Sequence, residues 1–189
     1  LLLTLPWRLR RSWGVEHPWQ ELGIVVPTAA GLRAFLRGFL KAAALLFGVV
    51  VVLLLSGQSQ WQGQLTAGQL LNAVALLVGA GFAEELLFRG WLWGELELLG
   101  GRQRAIGLQA AFFALVHPWY QLPAIEAIGL LVGLTLLGLA LALQRRADQG
   151  ALWGSVGLHG GLVGGWFALQ SGLISVPATG PVWLLGPGG

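Results

Sequence analysis

The chain carries its decisive stretch at residues 77–93, which read Leu-Val-Gly-Ala-Gly-Phe-Ala-Glu-Glu-Leu-Leu-Phe-Arg-Gly-Trp-Leu-Trp. Two adjacent carboxylates, Glu84 and Glu85, lie inside this apolar run, and a guanidinium, Arg89, follows four residues after the second. An ionised side chain at membrane depth costs roughly 2.5–3.5 kcal/mol even on the mildest scales. Such groups persist mainly where they pair, face a wet cavity or do chemistry, so the stretch predicts a functional polar site within a membrane.

The composition of the whole chain is typical of a membrane protein. Its 189 residues are 56% hydrophobic and 10% charged, with a mean hydropathy of +0.73, whereas soluble domains average about 25% charged residues. The absence of cysteine excludes disulfides, thiolate metal sites and a cysteine nucleophile. The chain contains no methionine and shows no secretory signal pattern, so we expect a fragment or a processed form.

Five apolar segments predict an all-α, polytopic transmembrane helix bundle with about five to six spanning helices. The segments are residues 40–55, 70–99, 105–117, 124–143 and 151–169. We expect residues 1–38 to form a cytoplasmic or interfacial N-terminal lead-in and residues 39–189 to form one transmembrane domain, with its motif-bearing core at 70–169. The Gly- and Pro-rich tail from Gly172 onward is compatible with both a membrane-inserted and an external segment.

The basic residues predict the orientation of the bundle. The loops at residues 56–69 and 119–123 carry no charge. With a cytoplasmic N-terminus and five alternating helices, every Lys and Arg except Arg89 falls on the cytoplasmic side, in agreement with the positive-inside rule. The sequence therefore predicts an integral, multi-pass protein in contact with the lipid bilayer. A nucleic-acid partner is excluded, because the net charge of +3 comes from clusters that flank apolar runs.

Two histidines in later apolar segments predict a site shared with the glutamates. His117 ends the segment 105–117, and His159 lies within the segment 151–169. At about 1.5 Å per helical residue from the predicted inner edge, Glu84 and both histidines reach comparable depth near the middle of the membrane. Carboxylates and imidazoles together can activate water and stabilise a developing oxyanion, which is what a hydrolytic site requires.

The order of these residues resembles the CPBP family of intramembrane proteases, which includes CAAX prenyl endopeptidases and the bacteriocin-processing and abortive-infection types. The motifs that carry the resemblance are Glu84-Glu85-x-x-x-Arg89, then Phe113-x-x-x-His117, then His159 in a later segment. Any one of these motifs is a weak signal. The three motifs in this order, each on its own hydrophobic segment, are a strong signal. The resemblance covers about residues 70–169 and implies that residues 39–189 form a transmembrane protease domain. Phe113 is expected to pack and not to react.

The resemblance implies a role for each polar residue. Glu84 would act with His117 on the attacking water, either directly as a general base or through a divalent metal. Glu85 would help to hold the site, and Arg89 would pair with a glutamate. His159 would orient water, bind the metal or stabilise the oxyanion.

Two alternatives stay open for the cofactor. One divalent metal such as zinc would be bound by Glu84, His117 and His159, because two imidazoles and a carboxylate suit zinc. The same side chains equally suit a metal-free mechanism with a carboxylate base and an imidazole partner. The resemblance implies a membrane protein or a lipidated peptide as substrate, such as a prenylated CaaX C-terminus or a bacteriocin leader peptide, and the sequence does not choose among these.

One position departs from the family pattern. The third motif usually has Asn or Asp four residues after its histidine, and here that position is Val163. Either a backbone N–H, Ser155 or a water replaces the missing polar group, or catalysis is weakened, because the loss of one oxyanion donor typically costs ~10²–10³ in rate. Val163 therefore motivates a second hypothesis, a non-proteolytic family member that acts as a membrane scaffold or partner-binding protein.

Two further functions fit the residues less well. A transporter or proton relay would also place Glu and His within the membrane, but the chain shows no inverted repeat. A serine protease built on Ser155 and His159, four residues apart, would leave the glutamate pair unused. The Gly-x-Ser-x-Gly motif of such enzymes is also absent from the chain.

Overall fold

The computed structural model describes residues 4–175, and helices account for most of this range. The seven α-helices within it are α1 (Leu5–Ser12), α2 (Pro18–Glu21), α3 (Thr28–Leu55), α4 (Ala67–Gly100), α5 (Arg102–Leu115), α6 (Ala124–Ala147) and α7 (Trp153–Ala168). Two short strands, β1 (Gln60–Trp61) and β2 (Ile174–Ser175), pair antiparallel. The predicted all-α bundle is confirmed. Most of the predicted C-terminal tail, from residue 176 onward, lies outside the described residues.

Three helices within residues 4–175 are long and apolar enough to cross a membrane, namely α3 with 28 residues, α4 with 34 and α6 with 24. Helices α5 and α7 have 14 and 16 residues, fewer than the ~20 that span a hydrocarbon core. A wider π-helical turn at Leu169–Leu173 prolongs α7. The three long helices support an integral membrane protein, while the total of five to six spans and the cytoplasmic N-terminus stay predictions.

Helix α3 begins earlier than the apolar pattern indicated. It starts at Thr28, directly after Pro27, and not near residue 40. Its first turns contain Arg33 and Arg37. These charged residues interrupt the run of apolar residues in the sequence, but arginine is a good helix former. The helix therefore runs unbroken across the predicted boundary between residues 38 and 39, and that division into domains stays a prediction.

Helix α4 is continuous but contains two stretches with a different winding. It follows Thr66, the first residue of a capping box. Two stretches, Leu76–Ala80 and Leu86–Leu92, are wound as π-helix, and Gly81–Glu85 between them is ordinary α-helix. Such π-turns are rare and occur frequently at functional sites. The helix ends at Gly100, and the following Gly101 has a φ of 76°, a backbone conformation that glycine adopts without strain.

Glycines of α7 allow two other helices to approach it closely. A Cβ added at Gly157 would overlap the backbone of Phe35 in α3, and one added at Gly160 would overlap the carbonyl group of Leu77 in α4. Small residues permit this close approach of backbones between membrane helices. Helix α7, which bears His159, is therefore packed directly against the helix that bears the two glutamates.

The N-terminal lead-in is packed into one end of the bundle. Its buried leucines join the main apolar cluster, which comprises Leu5, Leu9, Leu22, Leu86, Leu152 and Val156. The backbone N–H of Leu152 donates to the carbonyl of Gly23 at 2.9 Å, and the indole N–H of Trp153 donates to the carbonyl of Ile24 at 2.9 Å. These contacts attach the lead-in to α4 and α7.

A polar network joins α3 to the end of α6. Arg37 donates to one carboxylate oxygen of Asp148 at 2.5 Å, and Gln144 donates to the other at 2.7 Å. Lys41 in turn donates to the side-chain carbonyl of Gln144 at 2.6 Å. Gln144 and Asp148 are both buried. Arg37 and Lys41, which belong to the predicted cytoplasmic flank, therefore also help to hold α3 against the end of α6.

Replacement of Gly157 by alanine is expected to destabilise the protein, because the new methyl group would overlap the backbone of α3. Overpacking of this kind typically costs about 1–3 kcal/mol. Thermal unfolding in detergent, followed by tryptophan fluorescence, measures the change.

The matched control is Gly133→Ala in α6, where an added Cβ meets no atom within 4 Å. Alanine is the better helix former there, so this variant should be at least as stable as the parent protein. Equal destabilisation by both substitutions would contradict the packing role of Gly157.

Candidate active site

Three of the predicted site residues form a buried network between α4 and α7. Arg89 Nη1 donates to Oε1 of Glu85 at 2.8 Å, and Nδ1 of His159 lies 2.8 Å from the same oxygen. The side chains of Glu85 and Arg89 are fully buried, and that of His159 is 4% exposed. An ionised carboxylate can only accept hydrogen bonds, so Nδ1 of His159 carries a proton and donates the hydrogen bond to Glu85. This hydrogen bond fixes the orientation of the imidazole ring.

Glu84 has a different environment from its neighbour. Its side chain is 38% exposed, and its Oε2 lies 3.8 Å from Nε2 of His159, which is longer than a hydrogen bond. Adjacent residues of a helix point about 100° apart, which separates the two carboxylates. The imidazole of His159 thus lies between a buried, paired carboxylate and an accessible one.

The ring of Phe113 connects the remaining members of the site. It is fully buried, and the guanidinium of Arg89 lies 4.2 Å from its centroid. The rings of His117, Phe88 and His159 contact it at centroid distances of 4.9, 5.2 and 5.6 Å, each nearly edge-on. Such cation–π and edge-to-face contacts are each worth roughly 0.5–2 kcal/mol. The spacing Phe113-x-x-x-His117 was the only sequence signal for this arrangement.

His117 lies beyond the end of the helix on which it was predicted. Helix α5 ends at Leu115, and His117 follows in the bend before Pro118. A proline disfavours the α conformation of the residue that precedes it. Nδ1 of His117 lies 2.7 Å from the carbonyl oxygen of Phe113. A carbonyl oxygen can only accept hydrogen bonds, so Nδ1 of His117 donates this one. In a neutral imidazole the other nitrogen, Nε2, can then accept a hydrogen bond.

The structure therefore brings Glu84, Glu85, Arg89 and His159 together and attaches His117 through Phe113. Within residues 4–175, no hydrogen bond or ion pair joins His117 to Glu84 or to His159. A joint action of Glu84 and His117 on one water stays a prediction.

The side chains predicted to bind a metal do not form a coordination site in the described part of the chain. Structural and catalytic zinc sites need at least three protein ligands at about 2.0–2.3 Å. No group of three His, Cys, Asp or Glu side chains between residues 4 and 175 lies close enough to hold an ion. A zinc bound by Glu84, His117 and His159 stays a prediction.

Ser155 and Val163 lie one turn before and after His159. The hydroxyl of Ser155 is fully buried and donates to the carbonyl of Leu141 at 3.0 Å. Its single proton is therefore directed to α6 and not to His159, which disfavours Ser155 as a nucleophile activated by that histidine. Val163 is half-buried, and its apolar side chain offers no hydrogen-bonding group one turn after His159.

Comparison with known proteins gives one family match. A family model described as type II CAAX prenyl endopeptidase Rce1-like matches residues 66–164, just over half of the 189-residue chain. The match runs from the capping residue of α4 into α7 and contains all of the predicted site residues. No curated protein and no solved structure gives a significant match.

The substitution Arg89→Leu is expected to destabilise the protein strongly, because it removes the guanidinium that compensates the buried carboxylate of Glu85. Removal of one partner of a buried ion pair typically costs about 3–5 kcal/mol. Arg102→Leu is the matched control, since the pair of Arg102 with Glu97 is 68% and 39% exposed, and such surface pairs contribute about 0–1 kcal/mol. Unfolding in detergent compares the two variants.

The additional substitution Glu85→Gln should restore part of the stability that Arg89→Leu removes, because it eliminates the uncompensated charge. A double variant no more stable than Arg89→Leu alone would show that the lost stability does not come from this ion pair.

Proposed function

Because the chain belongs to the Rce1-like family of type II CAAX prenyl endopeptidases, we propose that it is an intramembrane endopeptidase that cleaves a membrane-associated substrate. The observation that supports the proposal best is the contrast between two adjacent glutamates. Glu85 is buried and paired, whereas Glu84 is 38% exposed beside an oriented imidazole. General-base catalysis requires a positioned group that can reach the proton it removes, and an accessible carboxylate can be reached by a water molecule.

Glu84 is the general base of the proposed reaction. Its carboxylate takes a proton from a water molecule, and the oxygen of that water attacks the carbonyl carbon of the scissile peptide bond. The protonated Glu84 then delivers the proton to the leaving nitrogen as the C–N bond breaks. General acid–base catalysis of this kind typically contributes 10²–10⁴-fold to the rate.

His159 stabilises the negative charge that develops on the substrate. Its Nδ1–H donates to Glu85, so its Nε2 is directed to the side of Glu84. With a proton on Nε2, the imidazolium can donate a hydrogen bond to the oxyanion, and the carboxylate of Glu85 stabilises the positive ring. Glu85 and Arg89 act through His159, so we assign them as positioning residues.

His117 provides a second imidazole from the end of α5. Its Nδ1 is used by the carbonyl of Phe113, and its Nε2 is available to accept a hydrogen bond from the attacking water. This role fits the sequence of the family motif and the contact of both histidines with the ring of Phe113. The substrate that we propose is a lipidated peptide or a membrane protein, with a prenylated CaaX C-terminus as the first candidate to test.

Val163 favours a second candidate function, a family member that acts as a membrane scaffold. Its side chain offers no polar group one turn after His159. In such a protein the buried network would serve the stability of the bundle, and a function measured in cells would survive both Glu84→Gln and His117→Ala. Loss of that function in both variants, with expression unchanged, would count against the scaffold.

Glu84→Gln is expected to abolish cleavage of a fluorescent prenylated CaaX peptide by the purified protein in liposomes. Glutamine keeps the shape of the side chain but cannot take a proton, so the rate should fall by at least ~10². The variant should unfold at the same temperature as the parent protein, because the carboxylate of Glu84 accepts no hydrogen bond within residues 4–175.

The matched control is Glu126→Gln, which changes a half-buried carboxylate at the start of α6. This variant should cleave the peptide at the parental rate. Full activity of Glu84→Gln would overturn the assignment of the general base.

A divalent-metal chelator in the same assay separates the two mechanisms. The metal-free reaction proposed above predicts an unchanged rate. If activity is lost with the chelator and recovered with Zn²⁺, a metal participates, and Glu84, His117 and His159 become its first candidate ligands.

A further inference from the structure

A cavity of about 870 Å³ lies at the end of the bundle where the basic residues gather. Its walls come from the N-terminal lead-in, the last turns of α4 and the turn between α6 and α7. None of the five residues assigned to the reaction lines it. Its volume falls within the range of about 300–1,000 Å³ that is usual for ligand sites, and its lining separates it from the proposed active site.

The side chain of Arg145 forms one wall of this cavity and is held in a fixed position. Its Nε donates to the carbonyl of Gly150 at 3.0 Å, its Nη2 donates to the carbonyl of Glu21 at 2.9 Å, and its Nη1 donates to the carbonyl of Arg89. The guanidinium also lies 5.3 Å from the ring centroid of Trp93. No carboxylate of residues 4–175 forms an ion pair with it. Neutral carbonyls position this cation, and acidic side chains act on its charge only from beyond ion-pair distance.

The cavity lining contains more cations than anions. Arg146 is exposed and its side chain has no partner in the described range of 4–175. Arg102 is paired with Glu97 at 3.3 Å, and the other lining carboxylate is that of Glu21. Arg145 and Arg146 therefore outweigh the one carboxylate that is not already paired with an arginine. The cavity is electrostatically suited to an anion.

We infer that this cavity binds the phosphate-bearing headgroup of an anionic lipid. Guanidinium groups are the preferred partners of phosphate oxygens, and the side-chain amides of Gln20 and Gln149 add further donors to the lining. The rings of Trp13 and Trp93 form part of the same wall, and tryptophan is enriched at the membrane–water interface. Basic pockets between membrane helices bind anionic headgroups. This site does not depend on the proposed protease activity.

The test uses the full chain, purified in detergent and freed of lipid, with phosphatidylglycerol and phosphatidylcholine of the same acyl length as probes. Native mass spectrometry measures the binding of each. We expect one phosphatidylglycerol to bind at least about tenfold more tightly than phosphatidylcholine, because Arg145 and Arg146, neither of which is in a direct ion pair among the described residues 4–175, line the cavity. Equal affinity for the two lipids would overturn the inference.

Arg146→Gln should lower the affinity for phosphatidylglycerol about fivefold without a loss of stability, because its side chain has no partner within residues 4–175. Arg104→Gln is the matched control, since Arg104 is also exposed but does not line the cavity. An equal effect of the two substitutions would assign the preference to general surface charge and overturn the cavity as the site.

Glycerophosphoglycerol, which carries the same phosphodiester group without acyl chains, separates a lipid from a soluble phosphate. Failure of this compound to displace phosphatidylglycerol at millimolar concentration supports the lipid as the ligand. Displacement at the concentration at which phosphatidylglycerol itself binds would overturn the lipid assignment and identify a soluble phosphate as the ligand.

Discussion

The buried carboxylate of Glu85 is the constraint on which the site depends. One of its oxygens accepts hydrogen bonds from both Arg89 and His159. A charge removed from water is tolerated only when its partners are close and well oriented, so this one group fixes α4 against α7 and sets the angle of the imidazole. The accessible position of Glu84 follows, since a helix that turns Glu85 inward must turn the preceding residue to another side.

The contact between Glu85 and His159 requires two helices to lie unusually close, and glycine makes this approach possible. Gly160, adjacent to His159, faces the carbonyl group of Leu77, which lies in the first π-wound stretch of α4. The second π-wound stretch, Leu86–Leu92, contains Arg89. The changes in winding therefore flank the glutamate pair, where they set the directions in which these charged side chains point.

The residues matched by the family model are only part of the residues that pack together in the bundle. The match covers residues 66–164 and so α4 to α7, but α3 packs extensively on α7 and the lead-in contributes to the main core. Arg145 links the two regions, since its guanidinium donates both to the backbone of Arg89 and to that of Glu21. The lipid site that we infer thus lies beside the backbone that supports the proposed catalytic network.

The sequence alone determined the all-α membrane architecture, the family and the five candidate residues, because a charged group in an apolar run is a local signal that needs no knowledge of neighbours. It did not determine which glutamate is buried. The four-residue spacing places Arg89 beside Glu85 on the same helix, but the burial of Glu85 also involves its contact with His159 of α7. Nor did the sequence reveal the contacts of Phe113. The sequence also placed His117 on a helix that ends before it. These features depend on the distance and rotation of separate helices, which only tertiary packing decides.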